Sequence, residues 1–212
     1  MEMHSIFYDD WNGSHIPDIL KEIYLDKVYD PYFLGKKDLT IVDCGANIGL
    51  TTQYFSNYGK VYSIEPAKKS FECLSKLIET NKLNATPIKY AISTESGEID
   101  FYHNTNTTAN SLFKELNDSG SKEIVQCRTL GEIFKEYSIE HVDFMKIDIE
   151  GKEFDVLGDD SFDEVADKIG VIMGETHSWA NRNPGQVHQA LQNRGFTVRR
   201  VSADASIFYA ER

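Results

Sequence analysis

The sequence predicts an α/β protein with a doubly wound, mostly parallel sheet, an antiparallel edge strand and an N-terminal helical arm. Two observations support this fold class. From residue 39 onward, short apolar runs that suit buried strands alternate with amphipathic helical segments, which is typical of a parallel sheet covered by helices. At the end of the chain, two strand-like runs follow each other closely and would form an antiparallel edge. We divide the chain into a helical arm, 1–38, and an α/β domain, 39–212.

The N-terminal arm is predicted from four apolar residues at helical spacing, Ile16, Ile19, Leu20 and Ile23. Several aromatic residues follow them. Two interpretations remain open for such a segment. It packs against the edge of the domain, or it acts as a lid that contacts the substrate.

The elements of the domain follow from apolar runs that end in turns and from helical faces such as that of Phe71, Leu74 and Ile78. Strands are predicted at 39–42, 61–64, 88–92, 98–103, 124–128, 142–147, 170–174, 197–201 and 206–210. Helices are predicted at 50–57, 68–80, 130–137, 152–157 and 187–194. A polar stretch at 104–111 and a charged stretch near 117–122 have no periodicity, so we expect functional or mobile loops there.

Length and charge restrict the function. The chain has 212 residues and a formal net charge of −12, with 22 Lys and Arg against 34 Asp and Glu. This length suits one domain with a sizeable core. A surface this acidic repels phosphate backbones and anionic headgroups, so we expect no nucleic-acid partner.

The compartment is predicted from cysteines and apolar runs. The three cysteines form no CxxC pair, which is typical of a reducing compartment rather than of a disulfide framework. The first residues lack the basic and apolar regions of a signal peptide, and no apolar run is long enough to span a bilayer. These features predict a cytoplasmic protein with no membrane span.

A glycine turn follows the first strand of the domain. Residues 43–49 read DCGANIG, and they lie at the carboxyl edge of the predicted sheet, where open parallel sheets bind ligands. We expect Gly45 to let the backbone approach a ligand and Gly49 to permit close contact where the helix begins. Glu65 ends the next strand, 20 residues after Gly45, and a carboxylate there can accept hydrogen bonds from both ribose hydroxyls.

The spacing of this turn argues against a dinucleotide cofactor. A dinucleotide fingerprint reads GxGxxG, whereas this turn reads DxGxxxG. Asp43 would place negative charge beside a pyrophosphate. The same carboxylate suits a ligand with a sulfonium and an ammonium group, so the turn predicts S-adenosylmethionine as the cofactor.

A second cluster of ionisable residues follows the strand at 142–147. Lys146 and Asp148 lie on the same face of that strand, and Glu150 and Glu153 come shortly after it. We expect burial near other carboxylates to raise the pKa of Asp148, as in many functional sites. The alternative is a structural network of Lys and carboxylates at the start of a helix.

The strand at 170–174 delivers Glu175 and His177 to the same edge. The two residues face the same way, and His is the side chain best suited to accept a proton near neutral pH. The alternative for His177 is a structural role. Together with Asp148 and Glu150 these side chains are chemically suited to Mg²⁺ or Mn²⁺. Their spacing is not a metal signature, however, so we expect no required metal ion.

The chain resembles the FkbM family of S-adenosylmethionine-dependent methyltransferases. The resemblance rests on IVDCGANIG at 41–49, SIEP at 63–66, VDFMKIDIEGKE at 142–153 and GETH at 174–177. It implies a Rossmann-like class I methyltransferase fold and methylation of an alcohol oxygen on a sugar, lipid-linked glycan or polyketide. The cofactor-binding positions that the resemblance implies are Asp43, Gly45, Asn47, Gly49, Glu65, Ala91, Ile92 and Asp148. Asp43 to Gly49 would bind the methionine part, Glu65 the ribose, and Ala91 and Ile92 the adenine.

The function predicted from the sequence is therefore O-methylation of a sugar, glycan or other small molecule. We predict His177 as the general base, Glu175 as the residue that orients it, and Asp148 as the alternative base. Glu150 and Glu153 are predicted to bind the substrate. Two alternatives remain open, an N-methyltransferase and a non-catalytic adenosyl-binding module.

Overall fold

A computed structural model describes residues 16–103, 121–177, 182–203 and 206–212. The strands are β1 (Leu39–Cys44), β2 (Gly59–Ile64), β3 (Ala85–Ile88), β4 (Ala91–Ile92), β5 (Gly97–His103), β6 (Ser121–Arg128), β7 (Val142–Ile147), β8 (Ile169–Glu175), β9 (Thr197–Arg200) and β10 (Ile207–Glu211). The α-helices are α1 (Ile16–Lys21), α2 (Asp30–Phe33), α3 (Leu50–Phe55), α4 (Lys68–Asn81), α5 (Leu130–Glu136), α6 (Glu153–Gly158), α7 (Asp163–Ala166) and α8 (Pro184–Asn193). A π-helical segment, Glu22–Asp26, and a 3₁₀ turn, Asp160–Phe162, complete the described elements.

The main sheet has seven strands in the order β3-β2-β1-β7-β8-β10-β9. The first five strands in that order are parallel, and β10 is antiparallel to both of its neighbours. This arrangement confirms the predicted mostly parallel sheet with an antiparallel edge. The strand order reverses between β1 and β7, because β1 is followed by β2 on one side and β7 lies on the other. Open α/β sheets bind their ligands at such a switch point.

The predicted strand at 88–92 is wrong as a single element. The chain leaves the main sheet after Ile88, the last residue of β3, and Ala91 and Ile92 pair instead with β6. With β5, these strands form a second sheet of three strands in the order β4-β6-β5. Apolar residues occur on both sides of Lys89, so the pattern does not mark the change of partner. The predicted loop at 104–111 lies outside the described residues.

Helices cover both faces of the main sheet, and β1 and β7 are therefore buried on both sides. One face packs under α5, α6 and α8, through residues such as Phe134, Leu157 and Leu191. The other face packs under α3 and the N-terminal arm. Continuous apolar strands such as Ile41–Val42 are typical of this two-sided burial.

The described part of the arm begins with α1, continues into the π-helical segment and ends at α2. Its apolar residues, among them Ile23 and Phe33, belong to the same cluster as Phe55 and Phe144 of the sheet layer. Phe33 is fully buried, and its ring centroid lies 4.8 Å from that of Phe144. The arm therefore packs against the sheet layer. Among the described residues, no helix combines the length and the apolar character needed to cross a bilayer.

Candidate active site

A cavity of about 450 Å³ opens at the carboxyl ends of β1, β2, β7 and β8. Its size is within the range of about 300–1,000 Å³ that is usual for ligand pockets. The predicted site residues that line it are Gly45, Asn47, Glu65, Ala91, Ile92, Asp148, Glu150, Glu175 and His177. Three predicted site residues are not part of the lining: Asp43, Gly49 and Glu153.

Asp43 lies beneath the glycine turn rather than in the cavity wall. Its side chain is fully buried, and Oδ2 accepts hydrogen bonds of 2.8 Å from the hydroxyls of Thr51 and Thr52. Lys146 Nζ lies 3.9 Å from Oδ1 of Asp43. Asp43 therefore lies outside the cavity lining, next to Lys146, whereas the sequence predicted it in a ligand-binding position.

Gly45 is required for a reason that the sequence did not show. A Cβ at this position would overlap the backbone carbonyl of Asp148, and the φ angle of 81° also favours glycine. The glycine thus lets the turn after β1 and the loop after β7 approach each other. At Gly49 the expected close contact is present, because a Cβ would lie 2.8 Å from side-chain atoms of both Leu74 and Leu77.

Glu65 is fixed at the cavity wall by backbone N–H groups. Asn47 N donates to Oε2 at 3.0 Å, and Ala67 N donates to Oε1 at 2.9 Å. Burial raises the pKa of Glu65 to about 7, although these two hydrogen bonds oppose the shift. The amide oxygen of Asn47 is also buried and has no hydrogen-bond partner among the described residues.

Ala91 and Ile92 reach the cavity from the second sheet. They form β4, which pairs with β6, and both side chains are buried. Their predicted position at the end of a third main-sheet strand is therefore wrong, but both residues remain in the cavity wall with Glu65.

Lys146 connects the two predicted clusters. Its Nζ donates to Oδ2 of Asp148 at 3.2 Å and to the carbonyl oxygen of Gly45 at 3.3 Å. Burial by itself would raise the pKa of Asp148, but the charges of Lys146 and His177 lower it below its ordinary value. The expected upward shift is therefore wrong, because Asp148 lies next to a cation and not only among other carboxylates.

His177 is oriented by Glu153 and not by Glu175 as predicted. Nδ1 of His177 lies 3.2 Å from Oε1 of Glu153, while Nε2 lies 3.4 Å from Oε2 of Glu150 and 3.7 Å from Oδ1 of Asp148. Burial lowers the pKa of His177, but the three carboxylates outweigh it and raise the pKa to about 10. The ring is therefore an imidazolium near neutral pH, which argues against its predicted role as general base.

Glu153 supports the site from behind. It is fully buried at the first position of α6, and its carboxylate accepts hydrogen bonds from the backbone N–H groups of Ile149 and Gly151. It lies outside the cavity lining, whereas the sequence predicted it as a substrate-binding residue. Its position fixes the loop that carries Glu150 and the ring of His177.

Glu150 combines an unusual backbone with a shifted pKa. Its φ angle of 55° is in the left-handed region, which residues other than glycine adopt mainly where the surrounding structure requires it. Burial, followed by the charge of Asp148, raises its pKa above the ordinary value, and His177 opposes this shift. Such a carboxylate, inside a cavity, has the properties of a general base.

The sequence did not identify the residues that the arm contributes to the cavity. The arm contributes Asp18, Ile19, Glu22 and Ile23 to the cavity lining. The sequence contained one signal for a role of the arm in the cavity: the acidic residue Glu22 comes directly before the core residue Ile23. That signal becomes informative only when the position of the arm over the sheet is known.

Three side chains have donor atoms close enough to hold a metal ion. Ligand atoms of Asp148, Glu175 and His177 all lie within 4.8 Å of one another. Lys146 already shares the carboxylate of Asp148, and the charge on His177 must be lost before its nitrogen can coordinate a metal. A metal would therefore compete with the ion pairs of the described residues.

The comparisons with known proteins agree with this geometry. A family model described as the methyltransferase FkbM domain matches residues 43–198. The chain is 27% identical to methyltransferase sdnD of Sordaria araneosa over 88% of its length and 84% of that protein. It is also 27% identical to the hexuronic acid methyltransferase AglP of Haloferax volcanii, over 58% of this chain and 50% of that one.

Solved structures support the same fold. A SAM-dependent methyltransferase from Aquifex aeolicus matches with a TM-score of 0.51 and 16% identity, over 92% of this chain and 91% of that one. A putative rRNA methylase from Clostridium thermocellum matches with a TM-score of 0.55 and 13% identity, over 88% and 93% of the two chains. With the family match over residues 43–198, these comparisons show that the chain has a class I methyltransferase fold and belongs to the FkbM methyltransferase family.

Proposed function

We propose that the protein transfers a methyl group from S-adenosylmethionine to a hydroxyl group of a sugar, glycan or other small molecule. The observation that carries this proposal is the position of Glu65 and Asp148 in the wall of one cavity, directly after β2 and β7. In the site predicted from the sequence, the carboxylate of Glu65 binds the ribose of the cofactor and the carboxylate of Asp148 lies beside the reacting groups. The name of the Haloferax volcanii relative, a hexuronic acid methyltransferase, supports a sugar acceptor.

The residues present fit S-adenosylmethionine. The carboxylate of Glu65 can accept hydrogen bonds from two adjacent ribose hydroxyls, and the unpartnered amide oxygen of Asn47 can accept one from an N–H group. Asp148 supplies negative charge that suits a sulfonium or an ammonium group. When bound, S-adenosylmethionine supplies an electrophilic methyl group on a positively charged sulfur.

The role of proton acceptor passes from His177 to Glu150 in this proposal. Glu150 lines the cavity, and its raised pKa brings it close to the operating pH, where a base is most effective. It would take the proton of the acceptor hydroxyl, and an electron pair of the oxygen would form the new bond to the methyl carbon. The carbon–sulfur bond would break at the same time, and its electron pair would stay on the sulfur of the product S-adenosylhomocysteine. The imidazolium of His177, 3.4 Å away, would hold the Glu150 carboxylate in place.

Two measurements test this proposal. Calorimetry with S-adenosylhomocysteine and with NAD⁺ tests the cofactor, and we expect binding of the first ligand only. Transfer of a labelled methyl group to panels of alcohols and amines, with and without a chelator, then tests the acceptor. Label on alcohol oxygen supports the proposal, whereas label on nitrogen only, or binding without any transfer, would replace it by one of the two alternatives. Loss of transfer with the chelator would show that a metal ion is required.

A further inference from the structure

Two carboxylates that line the cavity form no ion pair with another described residue. Glu22 of the arm and Glu175 at the end of β8 both line the cavity. Neither side chain has a hydrogen bond or an ion pair among the described residues, in contrast to Asp148, which is paired with Lys146. Glu22 and Glu175 also interact electrostatically, because the charge of Glu22 helps to raise the pKa of Glu175.

The charges that line the cavity do not balance. Apart from Glu65 and Asp18, the carboxylates that line the described part of the cavity are Glu22, Asp148, Glu150 and Glu175, and the cations are Lys146 and His177. Both cations are engaged already, because Lys146 contacts Asp43 and Asp148, while His177 contacts three carboxylates. The side of the cavity next to the arm therefore keeps an excess of negative charge.

The structure explains why Glu22 occupies this position. Ile23, directly after it, is buried in the core cluster between the arm and the sheet, which anchors the π-helical segment Glu22–Asp26. Single π-helical turns are often found at functional sites. Glu22 is itself exposed at the rim, where an entering ligand can reach its carboxylate.

The remaining wall at this end of the cavity is apolar. Ile19 and Ile23 of the arm face the same cavity as Met173 and Ile207 of the sheet. Carboxylates between apolar side chains suit a ligand that presents hydroxyl or ammonium donors at its edge and a C–H surface on its faces. An anionic group would be repelled by Glu22 and Glu175, and no described cation is left to bind it.

We infer that the methyl acceptor carries an amine as well as the hydroxyl that is methylated, as an amino sugar does, and that Glu22 and Glu175 bind its ammonium group. This inference rests on the proposed function and adds the charge of the acceptor to it. It excludes uronic acids as preferred acceptors, in contrast to the activity named for the Haloferax volcanii relative.

The test compares three acceptors that share one ring. Methyl glucosaminide, methyl glucoside and methyl glucuronide differ in charge, and kcat/KM for methyl transfer is measured for each with the wild-type protein. We expect kcat/KM for the aminoglycoside to be about five times that for the neutral glycoside, since an exposed ion pair contributes up to about 1 kcal/mol. We expect it to be more than about ten times that for the uronide. The Glu22→Gln variant should lose most of the preference for the aminoglycoside over the neutral glycoside.

Asp26→Asn is the matched control, because it removes the same charge from the same π-helical segment at an exposed residue paired with Lys21, outside the cavity. It should leave the preference unchanged. A uronide that reacts as well as the aminoglycoside, or an unchanged preference in Glu22→Gln, would overturn the inference while leaving the proposed function intact. Failure to bind S-adenosylhomocysteine would overturn the proposed function and the inference with it.

Discussion

Nδ1 of His177 lies 3.2 Å from Oε1 of Glu153, a fully buried carboxylate that is itself held by two backbone N–H groups. The contact joins the end of β8 to the start of α6 and directs Nε2 of the ring toward Glu150. A carboxylate in this place fixes the orientation of the ring and favours its protonated form. Both the charge of His177 and its contribution to stability should therefore depend on Glu153.

Replacing Glu153 by Gln should lower the pKa of His177. The substitution keeps the shape of the side chain but removes one of the three carboxylates that favour the imidazolium. It should also reduce the free energy of unfolding by about 1–3 kcal/mol, because one backbone N–H loses a buried acceptor. An NMR titration of the ring and chemical denaturation measure the two effects. The same change at the exposed residue Glu140 should produce neither, and an unchanged titration in Glu153→Gln would contradict the prediction.

The contribution of His177 to stability should depend on pH. Its pKa in the folded protein is about 10, above the value of 6.5 for an unperturbed His. The stabilisation is therefore fully present below about pH 6.5 and is lost as the pH rises through 10. We expect His177→Gln to be less stable than the wild type at pH 7 and the difference to shrink by up to about 4 kcal/mol at pH 10, since each tenfold difference in proton affinity between the folded and unfolded protein corresponds to about 1.4 kcal/mol. Denaturation at both pH values measures it, and His141→Gln, at an exposed site, is the control.

Affinity for S-adenosylhomocysteine should rise between pH 6 and pH 8. The pKa of Glu65 is about 7, and only the ionised carboxylate accepts hydrogen bonds from both ribose hydroxyls. Protonation at pH 6 should therefore weaken binding about tenfold relative to pH 8. In Glu65→Gln the affinity should be lower by about 1.5–3 kcal/mol and the pH dependence should disappear. Calorimetry gives both values, and Glu79→Gln, on the exposed side of α4, should behave like the wild type.

Gly45→Ala should be far more harmful than Gly35→Ala. Both glycines have positive φ angles, 81° and 76°, so each substitution carries a similar backbone strain of about 1–2 kcal/mol. Only at Gly45 would the new Cβ overlap the carbonyl of Asp148, whereas no atom lies within 4 Å of it at Gly35. We expect Gly45→Ala to lose methyl transfer and several kcal/mol of stability. Equal stabilities of the two variants would show that the loop after β7 can move away without cost.

The contact between the arm and the sheet can be tested at Phe33. Phe33→Ala should cost about 3–5 kcal/mol of unfolding free energy, because the ring is fully buried against Phe55 and Phe144. Leu34→Ala removes a neighbouring side chain that is 84% exposed and should change stability by less than about 0.5 kcal/mol. Thermal or chemical denaturation measures both. A small effect of Phe33→Ala would show that the arm contributes little to the folded state.

The sequence by itself determined the features that depend on neighbouring residues. The alternation of apolar strands and amphipathic helices predicted the mostly parallel sheet, and the turn that ends in Gly49 was placed correctly at the end of β1. The position of Glu65 at the end of β2 followed in the same way. These signals are short-range, because the periodicity of side chains and the conformational freedom of glycine act over a few residues.

Only the tertiary structure decided which distant residues meet. It placed Ala91 and Ile92 in a second sheet, gave His177 the partner Glu153 and brought Glu22 of the arm to the rim of the cavity. The pKa values of Asp148 and His177 depend on those meetings, since each pKa is set by burial and by the charges within a few ångströms. No pattern along the chain encodes such distances, because they arise from the packing of elements that lie far apart in the sequence.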